Sequence, residues 1–361
     1  MRKKLIKHID KLCKKSMNTT SGRELHDEML QNTLERYDEE LASGKGEKEA
    51  FDIALSGLGN MDEVMKPTGK KRSVKKTLLC AVATICLIAL VVTGCAFTSV
   101  EYYDDPSSYS VGSGSVSGEV KSLDISWTSG KLIVKAYDGD QIVLTETGAT
   151  TENQKMRYRL QNGVLTVHYQ ASGVNISTPF SKTLEIQIPR AQAEVLKNGE
   201  IELAGADAEM NGLGVEALEI ETASGNVVAS NCAFAFLEAD TASGDCTFTS
   251  CAIASMEMSA ASGNTKIDGT LDSLEFDAAS GNLTLQSAQA PSSLEAETAS
   301  GDITITIPAD SQFRCEYETA SGDVEINGFT GNYRDDEFIC GSGENVYSFD
   351  VASGDITINA A

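Results

Sequence analysis

Apolar and polar residues alternate along most of the chain beyond about residue 120, and from Leu218 onward the alternation is tied to one tripeptide, Ala-Ser-Gly. It stands at Ala223-Ser224-Gly225, Ala242-Ser243-Gly244, Ala261-Ser262-Gly263, Ala279-Ser280-Gly281, Ala299-Ser300-Gly301, Ala320-Ser321-Gly322 and Ala352-Ser353-Gly354, followed each time by Asn or Asp. The alanines are 19, 19, 18, 20, 21 and 32 residues apart. A fixed turn at a period near 20 predicts a repeat fold.

The flanks say what each repeat contains. Five, three and one residues before the alanine come apolar or small slots, such as Leu218/Ile220/Thr222 and Leu237/Ala239/Thr241. After the turn come pairs such as Val227/Ala229, Ile303/Ile305 and Ile356/Ile358. Period two predicts strands with one buried face. Gly225, Gly244, Gly263, Gly281, Gly301, Gly322 and Gly354 supply positive φ, and the following Asn or Asp can hydrogen-bond the backbone. Stacked in register, such repeats place like on like about 4.8 Å apart. The expectation is a mainly β fold, a β-solenoid of about seven recognisable rungs, with Gly331–Glu344 as an excursion before the last.

Between the buried slots lie Glu219, Glu221, Glu238, Asp240, Glu257, Glu275, Asp277, Glu295, Glu297, Glu316, Glu318 and Asp350. In register they form two columns of carboxylates that repel one another. Such columns fit a solubilising face. They also fit a docking strip for a divalent cation such as Ca2+, or for a basic partner, although the Gly-Gly-x-Gly-x-Asp repeat of calcium β-rolls is absent.

Upstream the periodicity changes. Leu25, Met29, Leu30, Leu34, Tyr37 and Leu41, then Phe51, Ala54, Leu55 and Leu58, recur at helical spacing, which predicts a small helical domain over 1–66. Residues 67–76 carry Lys70, Lys71, Arg72, Lys75 and Lys76, and an uncharged run follows over 77–100. That run is long enough to span a bilayer, and the basic flank sets the N-terminus inside. The expectation is a single-pass protein of the cell membrane, with a cytoplasmic N-terminus and an extracellular C-terminal domain. Val92-Thr93-Gly94-Cys95 resembles a lipobox, so Cys95 is either an acylation site or an ordinary membrane cysteine. Residues 101–119, rich in Ser, Gly and Tyr, suggest a flexible tether before the domain at 120–361.

Two stretches resemble known families. Glu39-Glu40, Gly46-Glu47-Lys48-Glu49-Ala50 and Leu58-Gly59-Asn60 resemble the HAAS-type signalling domain of Gram-positive bacteria. That resemblance implies a cytoplasmic position and a regulator of the PadR type as partner. Ile186-Gln187-Ile188-Pro189 leading into Ser-Gly-Asp/Asn repeats resembles the adhesin-like family of bacterial β-strand-repeat proteins, a domain of unknown function. The resemblance runs from about Val120 to Ile358 and implies a β-solenoid at the cell envelope.

Charge narrows the partners. Of a net −24, essentially all lies beyond Ile201, where about 28 acids meet only Lys266, Arg314 and Arg334. This surface argues against nucleic acid. His8, His26 and His168 lie in separate segments with no ligand spacing, so no zinc or His-based catalytic set is visible. The acids recur in every repeat instead of marking one rung, which argues against a glycan-active enzyme. Cys246 and Cys315 occupy buried slots, and Cys232 and Cys251, 19 apart, stack as either a disulfide or a free pair. The expected function is a non-enzymatic, membrane-anchored, adhesin-like binding module without cofactor. The competing class is an envelope sensor that signals through residues 1–66.

Overall fold

The structure is a computed structural model that describes residues 48, 100–101, 103, 105–174 and 180–361. The chain divides into two units, Met1–Arg72 and Ser73–Ala361. The expected helical domain, basic segment, membrane helix and Cys95 lie outside the described residues, Lys48 and Val100 apart. No helix among the described residues is long and apolar enough to cross a membrane.

The alternating residues become strands that stack in parallel. Strand Leu196–Asn211 pairs with Gly214–Thr222 and Val227–Ser230, and these pair with Ala233–Thr241 and Cys246–Ala260 in turn. The register is like on like: Leu218 faces Leu237, Ile220 faces Ala239 and Thr222 faces Thr241. One ladder continues through Met256, Leu274 and Leu294. The inward slots are buried along this length, with Leu237, Phe248, Phe276, Leu285, Ile303 and Ile305 inaccessible. Each fully buried aliphatic or aromatic side chain contributes about 1.5–3 kcal/mol, so stacking is what makes a single rung stable.

Two rungs precede the first Ala-Ser-Gly. Strand Ser122–Tyr137 pairs along its length with Leu196–Asn211, and on its other side with Val164–His168 and Lys182–Pro189. Beyond them the pairing turns antiparallel, as Ile142–Thr147 joins Lys182–Pro189 and Arg157–Gln161 joins Val164–His168. This change caps the N-terminal end of the stack. Residues 105–119, expected as a flexible tether, are part of that cap. Ser110–Val111 pairs with Arg157 and Tyr158, Gly114–Val116 pairs with Ile142–Leu144, and Tyr109 is buried. Val100, the last residue of the expected membrane run, lies in a short strand paired with Val174.

Inside the cap sits a buried ion pair. Lys182 Nζ meets Glu146 Oε1 at 2.5 Å, with side chains 0% and 3% exposed. The ammonium also donates to the carbonyls of Gln154, at 2.8 Å, and Tyr169. The rings of Trp127 and Tyr169 lie 4.6 and 4.1 Å from it.

The C-terminal end departs from sequence order. Strands Ser293–Ser300 and Ile303–Ile307 pair not with the next rung in sequence but with Asn345–Val351 and Ile356–Ala360. Strands Phe313–Thr319 and Val324–Asn327 then pair with the far side of that last rung. The excursion is a hairpin, Gly331–Arg334 with Glu337–Cys340, whose second strand covers Phe313–Glu316. Phe313, Phe329, Phe338 and Tyr347 pack beneath it.

Candidate binding surface

The carboxylate columns stand as the sequence spacing requires. One runs Asp124, Glu200, Glu219, Glu238, Glu257, Glu275, Glu295, Ser348, Glu316. The other runs Ser126, Glu202, Glu221, Asp240, Ser259, Asp277, Glu297, Asp350, Glu318. Asp124, Glu200 and Glu202 are members that the Ala-Ser-Gly count does not reach, because their rungs lack the tripeptide. The alternations Leu123/Ile125/Trp127 and Gly199/Ile201/Leu203 are the signals that find them.

Crowding marks this face electrostatically. Partial burial, then neighbouring carboxylates, pushes Glu200, Glu221, Glu238, Glu275 and Glu297 above the usual carboxylate range. Asp277 and Asp350 are raised by the same two causes. Burial raises Asp240, against a hydrogen bond from Ser259. No Lys or Arg stands in either column. On the strands after the turn, the outward positions are mostly neutral instead: Val228, Thr247, Lys266, Thr284, Thr304, Thr357 and Glu325 form one row. The acidity is therefore concentrated on one side of the stack.

The turns form a second ladder. Asn226 N–H donates to Asp207 Oδ1 at 2.8 Å, Asp245 to Asn226 at 3.0 Å, and Asn264 to Asp245 at 2.8 Å. Asn282 donates to Asn264 at 3.2 Å and Asp302 to Asn282 at 2.8 Å. The seven turn glycines all have positive φ, as expected. These side chains are occupied as turn acceptors.

Among the described residues no group of three or more His, Cys, Asp or Glu is placed to hold a metal ion. The columns run as outward rows and do not converge on a point. His168 is stacked on Tyr103 at 4.1 Å. Burial lowers its pKa, with Asp124 opposing and Arg159 assisting. Cys232 and Cys251 are free, buried thiols in adjacent rungs, where Ala252 N–H meets the Cys232 carbonyl at 2.9 Å. A hydrogen bond from Cys232 lowers the pKa of the Cys251 thiol, and the same bond raises that of Cys232. Cys246 and Cys315 are buried in core slots and pushed up to about 12 by desolvation.

A groove of about 540 Å³ opens where the columns reach the hairpin, lined by Glu316, Tyr317, Glu318, Asp336, Glu337 and Asp350 among others. It holds Arg314 and Arg334, with Arg314 Nη2 on Glu316 at 2.5 Å.

Among crystal structures, one of a candidate lipid binding protein from Parabacteroides distasonis is 15% identical, covering 70% of this chain and 96% of that one, with a TM-score of 0.39. A candidate adhesin from Bacteroides fragilis is 12% identical, covering 69% and 97%, with a TM-score of 0.39. A candidate cell adhesion protein from Clostridium sporogenes is 11% identical, covering 70% and 100%, with a TM-score of 0.24. No curated protein matches the chain. The Toastrack DUF4097 family model matches residues 120–359, which takes in the whole parallel stack, and the chain belongs to that family.

Proposed function

We propose that this chain is a non-enzymatic cell-envelope protein that binds a basic surface partner along the carboxylate face of its solenoid. The observation that carries it is the pair of in-register carboxylate columns, which contain no Lys or Arg and of which Glu316 meets Arg314 at the hairpin end. A face whose carboxylates already repel one another gains most when an array of cations settles on it, because each cation relieves several neighbours at once. Serines at Ser126, Ser259 and Ser348 interrupt columns that are otherwise acidic over nine rungs. Anchoring by residues 77–100, with residues 1–76 on the cytoplasmic side, is supported by the apolar run and its basic flank.

The test uses the full-length chain in detergent micelles, titrated with a lysine decapeptide. Binding should weaken with salt, release protons at acid pH where the raised carboxylates are partly protonated, and fall at least about tenfold when Glu238, Glu257 and Glu275 are all changed to Gln. Equal affinity of that variant and the parent chain would overturn the proposal.

A further inference from the structure

We infer that the C-terminal end of the solenoid is an open strand edge that takes up an extended, basic segment of another protein. This site lies at the end of the carboxylate columns, shares Glu318 with them, and is recognised through its backbone. In each rung the first residue after the turn donates its N–H to the Asn or Asp carbonyl of the next rung. Val227 donates to Asp245, Cys246 to Asn264, Thr265 to Asn282, Leu283 to Asp302, Ile303 to Asp355 and Ile356 to Asp323, all at 2.9–3.0 Å. Val324 is next in this series, and no described strand pairs with its outer side. Alternate residues of a parallel strand direct both backbone groups the same way. Val324 and Ile326 therefore present their N–H and C=O outward.

The turn ladder ends at the same place. Asp323 donates its N–H to Asp355 Oδ1 at 2.8 Å, and its own carboxylate, which would accept from a further rung, stands exposed. The inward slots agree. Tyr317, Thr319, Val324 and Ile326 are half-buried, whereas their partners Phe349, Val351, Ile356 and Ile358 are buried. The hairpin covers the end only as far as Tyr317, whose N–H reaches the Asp336 carbonyl at 3.0 Å. Glu318–Asn327 is left uncovered.

Three features identify the occupant. Unpaired outward N–H and C=O groups at two-residue spacing match an extended strand, the chemistry of β-augmentation. Glu318, Asp323 and Glu325 border the edge with no Lys or Arg between them, which selects lysine or arginine at the outward positions of the incoming strand. The stack already accepts a strand out of sequence order here, since Val324–Asn327 lies on Ile356–Ala360. A second copy of the chain fits poorly. Edge to edge it brings these acids together, and its other end is closed by antiparallel strands.

The probe is a fluorescent octapeptide alternating lysine with valine or isoleucine, added to the full-length chain in detergent micelles. Its twin carries N-methyl groups on alternate backbone nitrogens, keeping the charge and losing the pairing. The parent should bind, and the twin should bind at least about tenfold more weakly, from the loss of two or more hydrogen bonds. Ile326→Pro, which deletes an outward N–H, should reproduce that loss, while Glu119→Gln, at an exposed acid of the N-terminal cap, should change affinity less than about twofold. Equal binding of parent and twin would overturn the proposal in favour of charge alone, and so would no binding of either. Self-association of the chain without peptide, abolished by Ile326→Pro, would overturn it in favour of a second copy. Oligolysine binding to the columns is expected in Ile326→Pro, so failure of the edge and failure of the face are read separately.

Discussion

The carboxylate of Asp302 accepts the backbone N–H of Asp355 at 2.9 Å, across 53 positions of sequence. Asp355 Oδ1 in turn accepts the N–H of Asp323, which lies 32 residues earlier. The last rung in sequence is thus the penultimate layer in space, wedged between 293–307 and 313–327.

Deletion of residues 345–361 consequently removes an interior layer. Residues 313–327 then lose their only parallel neighbour among the described residues, and Leu294, Ile303 and Ile305 lose their cover. Hydrogen exchange should show 313–344 unprotected as a unit while 196–287 keeps its protection. A stack in sequence order would instead keep 313–327 protected, and that outcome would refute the topology.

The rungs themselves were legible in the sequence because the buried slot, turn glycine and Asn or Asp recur together, leaving only one register that buries every apolar slot. Layer order was not. Asp302, Asp323 and Asp355 have the same turn chemistry, so spacing alone cannot say which ladder neighbour each one takes. The 32-residue step marked the excursion but not the exchange. Lys182 shares parity with Leu184, Ile186 and Ile188 and is placed inward by the same alternation, but nothing in the spacing names its partner Glu146. Of the binding face, the columns followed from the repeats, while the open edge depends on what fails to stack and so had no sequence signal.

Gly263 and Gly205 should respond differently to alanine. Gly263 has φ +127, and a Cβ there would stand 2.0 Å from the Gly244 carbonyl oxygen, fixed in the rung beneath. The nearest atom to a Cβ on Gly205 is 3.6 Å away. Gly263→Ala should therefore destabilise by more than about 1 kcal/mol, from the left-handed backbone and the backbone clash together. Gly205→Ala should stay within about 0.5 kcal/mol. Urea unfolding of both variants checks this, and equal midpoints would contradict it.

Acid should stabilise the domain before it denatures it. Glu221, Glu238, Glu275 and Glu297 have folded-state pKa values raised above 4.5, chiefly by burial and then by their column neighbours. The folded state binds protons more readily than the unfolded chain, so their contribution to stability is fully present below the unfolded pKa and is lost as pH rises through the folded values. The melting temperature should rise as pH falls from 7 towards the ordinary carboxylate range. Added salt should raise it at pH 7 by screening the columns. A melting temperature that falls steadily from pH 7 downward would show that the columns carry no strain.

Lys182→Met should be among the most damaging single changes in the cap. The ammonium is held by Glu146 and by two carbonyls between the faces of Trp127 and Tyr169. Its removal leaves the Glu146 carboxylate, 3% exposed, with the Met156 N–H at 2.8 Å as the hydrogen bond that remains to it among the described residues. Breaking a buried pair from one side costs about 3–5 kcal/mol, because the remaining charge has lost both water and partner. Replacing both members costs much less, since no charge is then stranded. The Lys182→Met, Glu146→Gln double variant should therefore recover a large part of the loss in urea unfolding. Were the double variant as unstable as Lys182→Met alone, the pair would matter through packing against the rings and not through its charge.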